Sequence, residues 1–377
     1  MSRRVLVTGG AGFVGSHTVD ALLRQGHEVR IFDNLDEQVH GGGVPAYLAR
    51  EAELVRGDVR DLEALRKAVD GVDVVYHFAA VVGVGQSMYE IARYTAVNCQ
   101  GTANLLQALL ERRGTLQKLI VASSMSIYGE GQYRCSAPGC SAQGELAPQP
   151  RESAQLKARQ WQLGCPQCGL PLEAVPTAER KALQCNSIYA IGKRSQEEMC
   201  LLFGRTYDVP VVALRYFNIY GTRQALSNPY TGVAAIFASR LLQQRAPLVF
   251  EDGGQMRDFV SVHDVVQANL LAMERSEGDG LALNIASGEP ITILRIAEIL
   301  ASTLGVRIPA VITGNYRAGD IRHCFADISL ARQRLGYRPR HRPVSAMGEM
   351  VEWLCAQQVV DRVEDARRSL ISFGLMA

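Results

Sequence analysis

The chain has 377 residues, 47% of them hydrophobic and 21% charged, with a formal net charge of +2. That balance suits a large globular core and excludes an intrinsically disordered chain. The charges of both signs are interspersed, so no basic block points to nucleic acid or an anionic membrane as partner.

The N-terminus, "MSRRVLVTGG", has no apolar leader region and runs straight into a strand pattern. "RVLVTGG" reads as a strand, "VGSHTVDALLRQG" as a helix and "EVRIFDN" as a strand. "AELVRGD", "DLEALRKAVDG" and "VDVVYHFAA" repeat the rhythm as strand, helix and strand, and "TANLLQALLERRG" and "QKLIVASS" as helix and strand. Strands alternating with amphipathic helices predict a parallel, doubly wound α/β sheet. The longest near-apolar run, Val74 to Gly85, is too short to span a bilayer. Five of the nine cysteines (Cys99, Cys185, Cys200, Cys324, Cys355) scatter through apparent core elements. That pattern suits reduced thiols and a cytoplasmic protein.

From Gly131 to Gln184 the composition turns to Pro, Gln, Ala and Cys and the rhythm stops. It resumes with the helical "NSIYAIGKRSQEEMCLLFGRTYD" and the strand "VPVVALRYFN". The expected layout is therefore a nucleotide-binding domain over 1–218, interrupted by an insertion over 131–184 and receiving 253–284. A smaller α/β region takes 219–252 and 285–377.

"VLVTGGAGFVGSH" carries Gly9, Gly12 and Gly15 between a strand and a helix. Glycines there allow a tight turn and bring backbone N–H groups to a pyrophosphate at the helix N-terminus. The next strand ends in Asp33, eighteen residues after Gly15. A carboxylate there accepts from an adenosine ribose 2′-OH and repels a 2′-phosphate, which favours NAD over NADP. Asp58 ends a third strand, within reach of the adenine.

"YAIGK" places Tyr189 and Lys193 on one helix face, where the ammonium favours phenolate. Upstream, "VASSMSIYG" sets Ser123, Ser124 and Ser126 at a strand end. A hydroxyl there can share the phenol's substrate oxygen.

With "TGGAGFVG", "FDN", "GDVRD", "YHFAA", "VNCQGT", "SSMSIYG", "YAIGK", "RYFNIYG", "RDFVSVHDV", "NIASGE" and "RAGD" in order, the chain resembles the extended short-chain dehydrogenase/reductases, specifically the nucleotide-sugar epimerase/dehydratase group. The resemblance implies a Rossmann fold, a C-terminal substrate domain, a homodimer and a nucleoside diphosphate sugar as substrate. It assigns catalysis to Ser124, Tyr189 and Lys193. It assigns NAD binding to Gly9, Gly12, Phe13, Val14, Asp33, Asn34, Asp58, Val59, Phe78, Ala79, Ala80 and Asn98, together with Tyr189 and Lys193. Substrate contacts fall to Val82, Ser124, Ser126, Asn218, Arg257 and Arg317, the two arginines gripping the diphosphate.

The 4,6-dehydratases of this group carry Asp-Glu after the hydroxyl residue. Met125 and Ser126 stand there instead, and neither is a general acid or base near neutral pH. The related uronate decarboxylases also carry a Glu where Ser126 sits. What remains is oxidation and re-reduction at one carbon, a 4-epimerase, with a 4-keto-sugar reductase as the alternative. "SMSIYGEGQYRC", the cysteine-rich insertion and "QALSNPYTGVAAIFASRLL" together resemble dTDP-L-rhamnose 4-epimerases, with UDP-hexose epimerisation the other option.

Cys135-x4-Cys140 and Cys165-x2-Cys168 are separated by 24 residues, and "CPQCG" resembles a zinc-ribbon knuckle. Four thiolates form a closed tetrahedral site, structural rather than catalytic. Two local disulfides or a redox pair are the alternatives. Because the insertion lies between Ser124 and Tyr189, it is also a candidate rim over the sugar pocket.

Overall fold

The computed structural model describes residues 2–142, 144–224, 232–317, 319–357 and 363–375. Strands β1 (Arg4–Thr8), β2 (Glu28–Asp33), β3 (Glu53–Arg56), β4 (Val74–His77) and β5 (Lys118–Ser124) come first. The helices Phe13–Arg24, Leu62–Ala68 and Gly101–Leu110 lie between them, within a few residues of the predicted bounds. Two three-residue strands, β6 (Gln132–Arg134) and β7 (Glu173–Val175), belong to the insertion. Then follow helix Ile188–Tyr207, β8 (Val211–Tyr216), β9 (Asn218–Tyr220), helix Val233–Leu242, β10 (Leu248–Val249), β11 (Met256–Ser261) and helix Val262–Glu274. β12 (Ala282–Ile285), β13 (Pro290–Thr292), helix Ile293–Thr303, β14 (Val311–Ile312) and β15 (His323–Cys324) precede helices Ser329–Leu335, Pro343–Cys355 and Val363–Ser372.

Seven strands form one parallel sheet in the order β12-β8-β5-β4-β1-β2-β3. The chain winds from β1 in one direction through β2 and β3, and in the other through β4, β5, β8 and β12. The reversal lies between β1 and β4, where Val5 to Thr8 pair with Val74 to His77. Strand carboxyl ends open a crevice at such a point, the binding place of a doubly wound, Rossmann-type sheet. Helices cover both faces, so all seven residues of β5 are buried. One core cluster gathers Val7, Ile31, Tyr76, Ile120, Leu214 and Ile285, and the other Leu6, Phe32, Val75, Leu119, Val121 and Ala213. The alternation along each strand sends successive side chains to opposite clusters.

A second, mixed sheet joins β13, β11 and β15, with β9 also on β11. Its neighbours, the helices Val233–Leu242, Ile293–Thr303 and Pro343–Cys355, close a third apolar core around Phe237, Leu241, Ile296, Leu300, Met347 and Leu354. In the insertion, β6 pairs antiparallel with β7 over a small cluster of Tyr133, Leu163, Cys165 and Leu172. No helix among the described residues is long and apolar enough to cross a membrane.

Candidate active site

The glycine turn between β1 and the first helix is built to admit a ligand backbone-close. Gly9 takes φ +70, and a Cβ on it would lie 2.8 Å from Ala79 N. A Cβ on Gly15 would lie 2.2 Å from Gly9 O, so the helix can approach the turn only as glycine. Gly12 caps the helix Phe13–Arg24 with no side-chain hydrogen bond to its first N–H groups. Those donors and the dipole face the crevice, as a pyrophosphate requires. Phe13 and Val14 form the first turn.

Asp33, at the end of β2, is buried; its Oδ2 accepts from Ala11 N at 3.0 Å and its Oδ1 from Leu35 N at 2.9 Å. Two backbone donors fix the carboxylate while leaving lone pairs for a ribose. His40 lies over it, with Nε2 3.7 Å from Oδ1, a neighbour the sequence did not announce. Asn34 Nδ2 donates to Asp58 Oδ2 at 3.2 Å. The Arg60 guanidinium holds the Asp58 carboxyl down to about 2. Val59 is buried beside it.

Past β4, Phe78 N donates to Thr8 O and Ala79 N to Thr8 Oγ1, which brings Phe78 and Ala79 against the glycine turn, with Ala80 next in the chain. Asn98 is fully buried; its Oδ1 accepts from Val81 N at 2.8 Å and its Nδ2 donates to Val81 O at 3.1 Å. Its amide thus shapes the wall of the crevice by fixing the loop that exposes Val82.

Ser124 ends β5 and Tyr189 begins the helix Ile188–Tyr207, whose N-cap Ser187 accepts from Ala190 N. The Ser124 hydroxyl lies close enough to the Tyr189 phenol to favour its phenolate. Burial pushes the Tyr189 phenol up to about 12, and the Ser124 hydroxyl works against that rise. Ser124 Oγ also accepts from Ser126 Oγ at 2.9 Å and Ser126 N at 3.2 Å. Lys193 Nζ donates to Ala122 O at 2.9 Å, and burial brings its ammonium down to about 8. Near pH 7 that ammonium keeps its charge, because the pH lies below its pKa. The three candidates thus sit on one strand end and the first turns of one helix, with Lys193 bonded to the strand two residues before Ser124.

Behind them lies a network invisible in the sequence. Glu197 Oε2 accepts from Ser123 Oγ at 2.6 Å and from Arg215 Nε at 2.9 Å, and Arg215 Nη2 lies 2.6 Å from Glu197 Oε1. All three residues are buried.

Asn218 starts β9 with a buried Oδ1 that finds no hydrogen-bond partner among the described residues. Arg257 Nη1 donates to Arg322 O at 3.1 Å, and its Nη2 to Ile321 O, so the guanidinium holds the backbone next to Arg317. The Arg317 guanidinium lies over the Phe250 ring, 4.7 Å from its centroid. Of the stretch Ser227 to Leu242, residues 227–231 lie outside the described residues. Farther along it Ala234, Phe237, Ala238 and Leu241 pack into the third core.

The four insertion cysteines meet at one point. Cys135 and Cys168 Sγ are 3.7 Å apart, Cys140 and Cys165 Sγ also 3.7 Å, and all four sulfurs lie within 4.8 Å of one another. Gln167 N donates to Cys165 Sγ and Ala142 N to Cys140 Sγ. The backbone N–H groups of Cys168 and Gln167 hold the Cys165 thiol down to about 7. Gly139 and Gly169, each following or preceding a cysteine turn, take φ +75 and +73.

Residues 5–152 and 160–286 match the NAD dependent epimerase/dehydratase family. The dTDP-L-rhamnose 4-epimerase of Burkholderia thailandensis is 34% identical over 366 residues, covering 96% of each chain. Among solved structures, the UDP-glucose 4-epimerase of Thermotoga maritima with UDP-glucose is similar at a TM-score of 0.76 and 30% identity, over 94% of this chain and 99% of that one. The Thermus thermophilus UDP-glucose 4-epimerase in complex with NAD is similar at 0.70 and 28%, over 94% and 100%.

Proposed function

The chain belongs to the NAD dependent epimerase/dehydratase family, and from that premise we propose that it inverts C4 of a nucleoside diphosphate hexose, with dTDP-L-rhamnose as substrate and dTDP-6-deoxy-L-talose as product. The carrying observation is the Ser124 hydroxyl next to the Tyr189 phenol, with Lys193 one helical turn on, buried and bonded to Ala122 O, and with Met125 and Ser126 where dehydration would need an acid and a base.

The roles follow from the geometry. Tyr189 takes the proton from the sugar 4-OH and later returns it. Ser124 donates to the same oxygen and orients it. Burial holds the phenol near 12, too high for a base at neutral pH, so positive charge must bring it down. The Lys193 ammonium, fixed on Ala122 O, supplies part of that charge. NAD, when bound, would supply the hydride acceptor and donor at C4 and further positive charge. Gly9, Gly12 and the uncapped helix fit its pyrophosphate, and Asp33 fits a 2′-hydroxyl rather than a 2′-phosphate. Val82, Ser126 and Asn218 would line the sugar, and Arg257 and Arg317 would meet the diphosphate. The seven-stranded sheet would then serve the cofactor, and the mixed sheet with its core the nucleotide sugar, close to the division at 218.

The four cysteines are read as a structural zinc site. A tetrahedron with Zn–S bonds of about 2.3 Å has edges of about 3.8 Å. The two close sulfur pairs stand at 3.7 Å, and backbone N–H groups already turn toward the thiols. Four thiolates leave no position for a water or substrate, so the metal would order the insertion.

The deciding experiment incubates the enzyme with dTDP-L-rhamnose, UDP-glucose and UDP-N-acetylglucosamine and reads C4 by proton NMR. Conversion of dTDP-L-rhamnose without net change in NADH is expected. Conversion of only a UDP-sugar would reassign the substrate, and stoichiometric NADH consumption would make the enzyme a reductase.

A further inference from the structure

The insertion is bonded into the substrate side of the molecule through buried charges. Arg151 Nη2 lies 2.8 Å from Glu251 Oε1 and donates to Asp320 O at 3.0 Å. Arg322 Nη1 lies 2.9 Å from the other oxygen of the same carboxylate, Glu251 Oε2. The side chains of Arg151, Glu251 and Arg322 are each 1% exposed. Glu130, at the insertion's root, accepts from Arg322 N at 2.7 Å and from His323 N at 3.3 Å. Two anchors, one from each side of the insertion's first half, therefore grip the 320–323 backbone.

That backbone is the one Arg257 holds through Arg322 O and Ile321 O, and Arg317 stands three residues before it. On the other flank, Tyr133 donates to Glu130 Oε2 at 2.9 Å and shares an apolar cluster with Cys165. The cysteine cluster is thus connected by packed and bonded groups to the two arginines. A buried charge network of this kind adds little net stability against an apolar replacement, which leaves the setting of relative position as its role in the proposal below.

We propose that Arg151 is a positioning residue for substrate binding: with Glu130 it braces the 320–323 backbone against the cysteine module, so that Arg257, which bonds to that backbone, and Arg317 just before it are set for the nucleoside diphosphate. The inference rests on the reading that these two arginines face the diphosphate. It makes the insertion a determinant of nucleotide-sugar affinity rather than an ornament, and it separates that affinity from the chemistry at Ser124 and Tyr189, which the brace does not touch.

The test uses the full-length, NAD-loaded enzyme and the variants Arg151→Met and Arg151→Lys. Calorimetry measures the Kd of free dTDP and UDP, kinetics give KM and kcat, and NAD affinity is the control. Arg151→Met is expected to raise KM and the nucleoside diphosphate Kd by about five- to thirtyfold, with kcat and NAD affinity nearly unchanged. Arg151→Lys keeps the charge on Glu251 but not the fork, and should fall between. Unchanged KM and Kd would overturn the proposal. So would a parallel loss of NAD affinity and kcat, the mark of a merely structural role. If Arg151→Met is insoluble, Glu130→Gln, which weakens the other anchor's bonds to Arg322 N and His323 N, carries the same expectation at smaller size, and unaltered Kd values in it and in Arg151→Lys overturn the proposal. Because free dTDP and UDP are the probes, a shifted Kd in an enzyme that epimerises no sugar would uphold the brace and sink the epimerase reading instead.

Discussion

Ser123 donates its hydroxyl to Glu197 across 2.6 Å of fully buried interior. The bond ties the end of β5 to the middle of the helix Ile188–Tyr207, and Arg215 on β8 closes the triangle with two contacts to the same carboxylate. Ser124 follows Ser123 directly, and Tyr189 lies two helical turns before Glu197. The pair proposed to carry the chemistry is thereby held in register by the pair behind it.

Removing Arg215 leaves the Glu197 carboxylate buried with a hydroxyl as its remaining strong partner. Arg215→Met is expected to cost about 3–5 kcal/mol of stability. Thermal unfolding of the NAD-bound protein reads the loss. A drop of less than about 1 kcal/mol would mean that Glu197 is satisfied in another way.

Tyr189→Phe removes the acid and base but keeps the ring that fills the site. kcat should fall by roughly 10²–10⁴ while NAD stays bound. Retention of more than a tenth of wild-type turnover would assign the proton transfer elsewhere.

Lys193 is expected to set the alkaline side of the pH profile. Its ammonium is lowered to about 8 by burial, so the charge that favours phenolate is present below that pH and disappears above it. kcat/KM should therefore decline as pH rises through about 8. In Lys193→Arg the guanidinium does not titrate in this range, so the decline should vanish even though turnover is reduced. A limb that persists unchanged in the variant would belong to another group.

Gly15→Ala places a methyl 2.2 Å from Gly9 O, a distance no relaxed side chain tolerates. The turn must open, and overpacking of this kind costs about 1–3 kcal/mol. NAD affinity is expected to fall by at least tenfold, read by fluorescence titration. Wild-type affinity would show that the turn can yield.

The cysteine cluster should carry one zinc per chain, measured by elemental analysis of protein purified without added metal. Cys165→Ser should release it and lower the melting temperature while the separate glycine turn still takes NAD. Absence of any metal together with a full count of reactive thiols would leave the cluster as four free cysteines.

Much of this molecule was legible before its coordinates. The β-α rhythm placed the first five strands and their main helices, because side-chain periodicity and glycine placement are local properties of the chain. The short helices Glu37–His40 and Val84–Ser87 escaped notice, being one turn each with no period to read. So did β6 and β7, whose three residues are fewer than a strand needs to display alternation.

The sequence by itself determined the glycine turn, the acid that ends β2, the Ser124, Tyr189 and Lys193 set, and two cysteine pairs. Each depends on residues close together in the chain, or on a strand end and a helix start whose nature is written locally. Tertiary structure alone decided the sheet order, the meeting of the two cysteine pairs, and the partners of buried charge. Glu130 and Arg322 are 192 residues apart, and Ser123 and Glu197 are 74 apart. No spacing rule joins such residues. Their pairing is imposed because a charge or hydroxyl carried into the interior must find its partner there, and which partner waits is fixed by how the layers come to rest on one another.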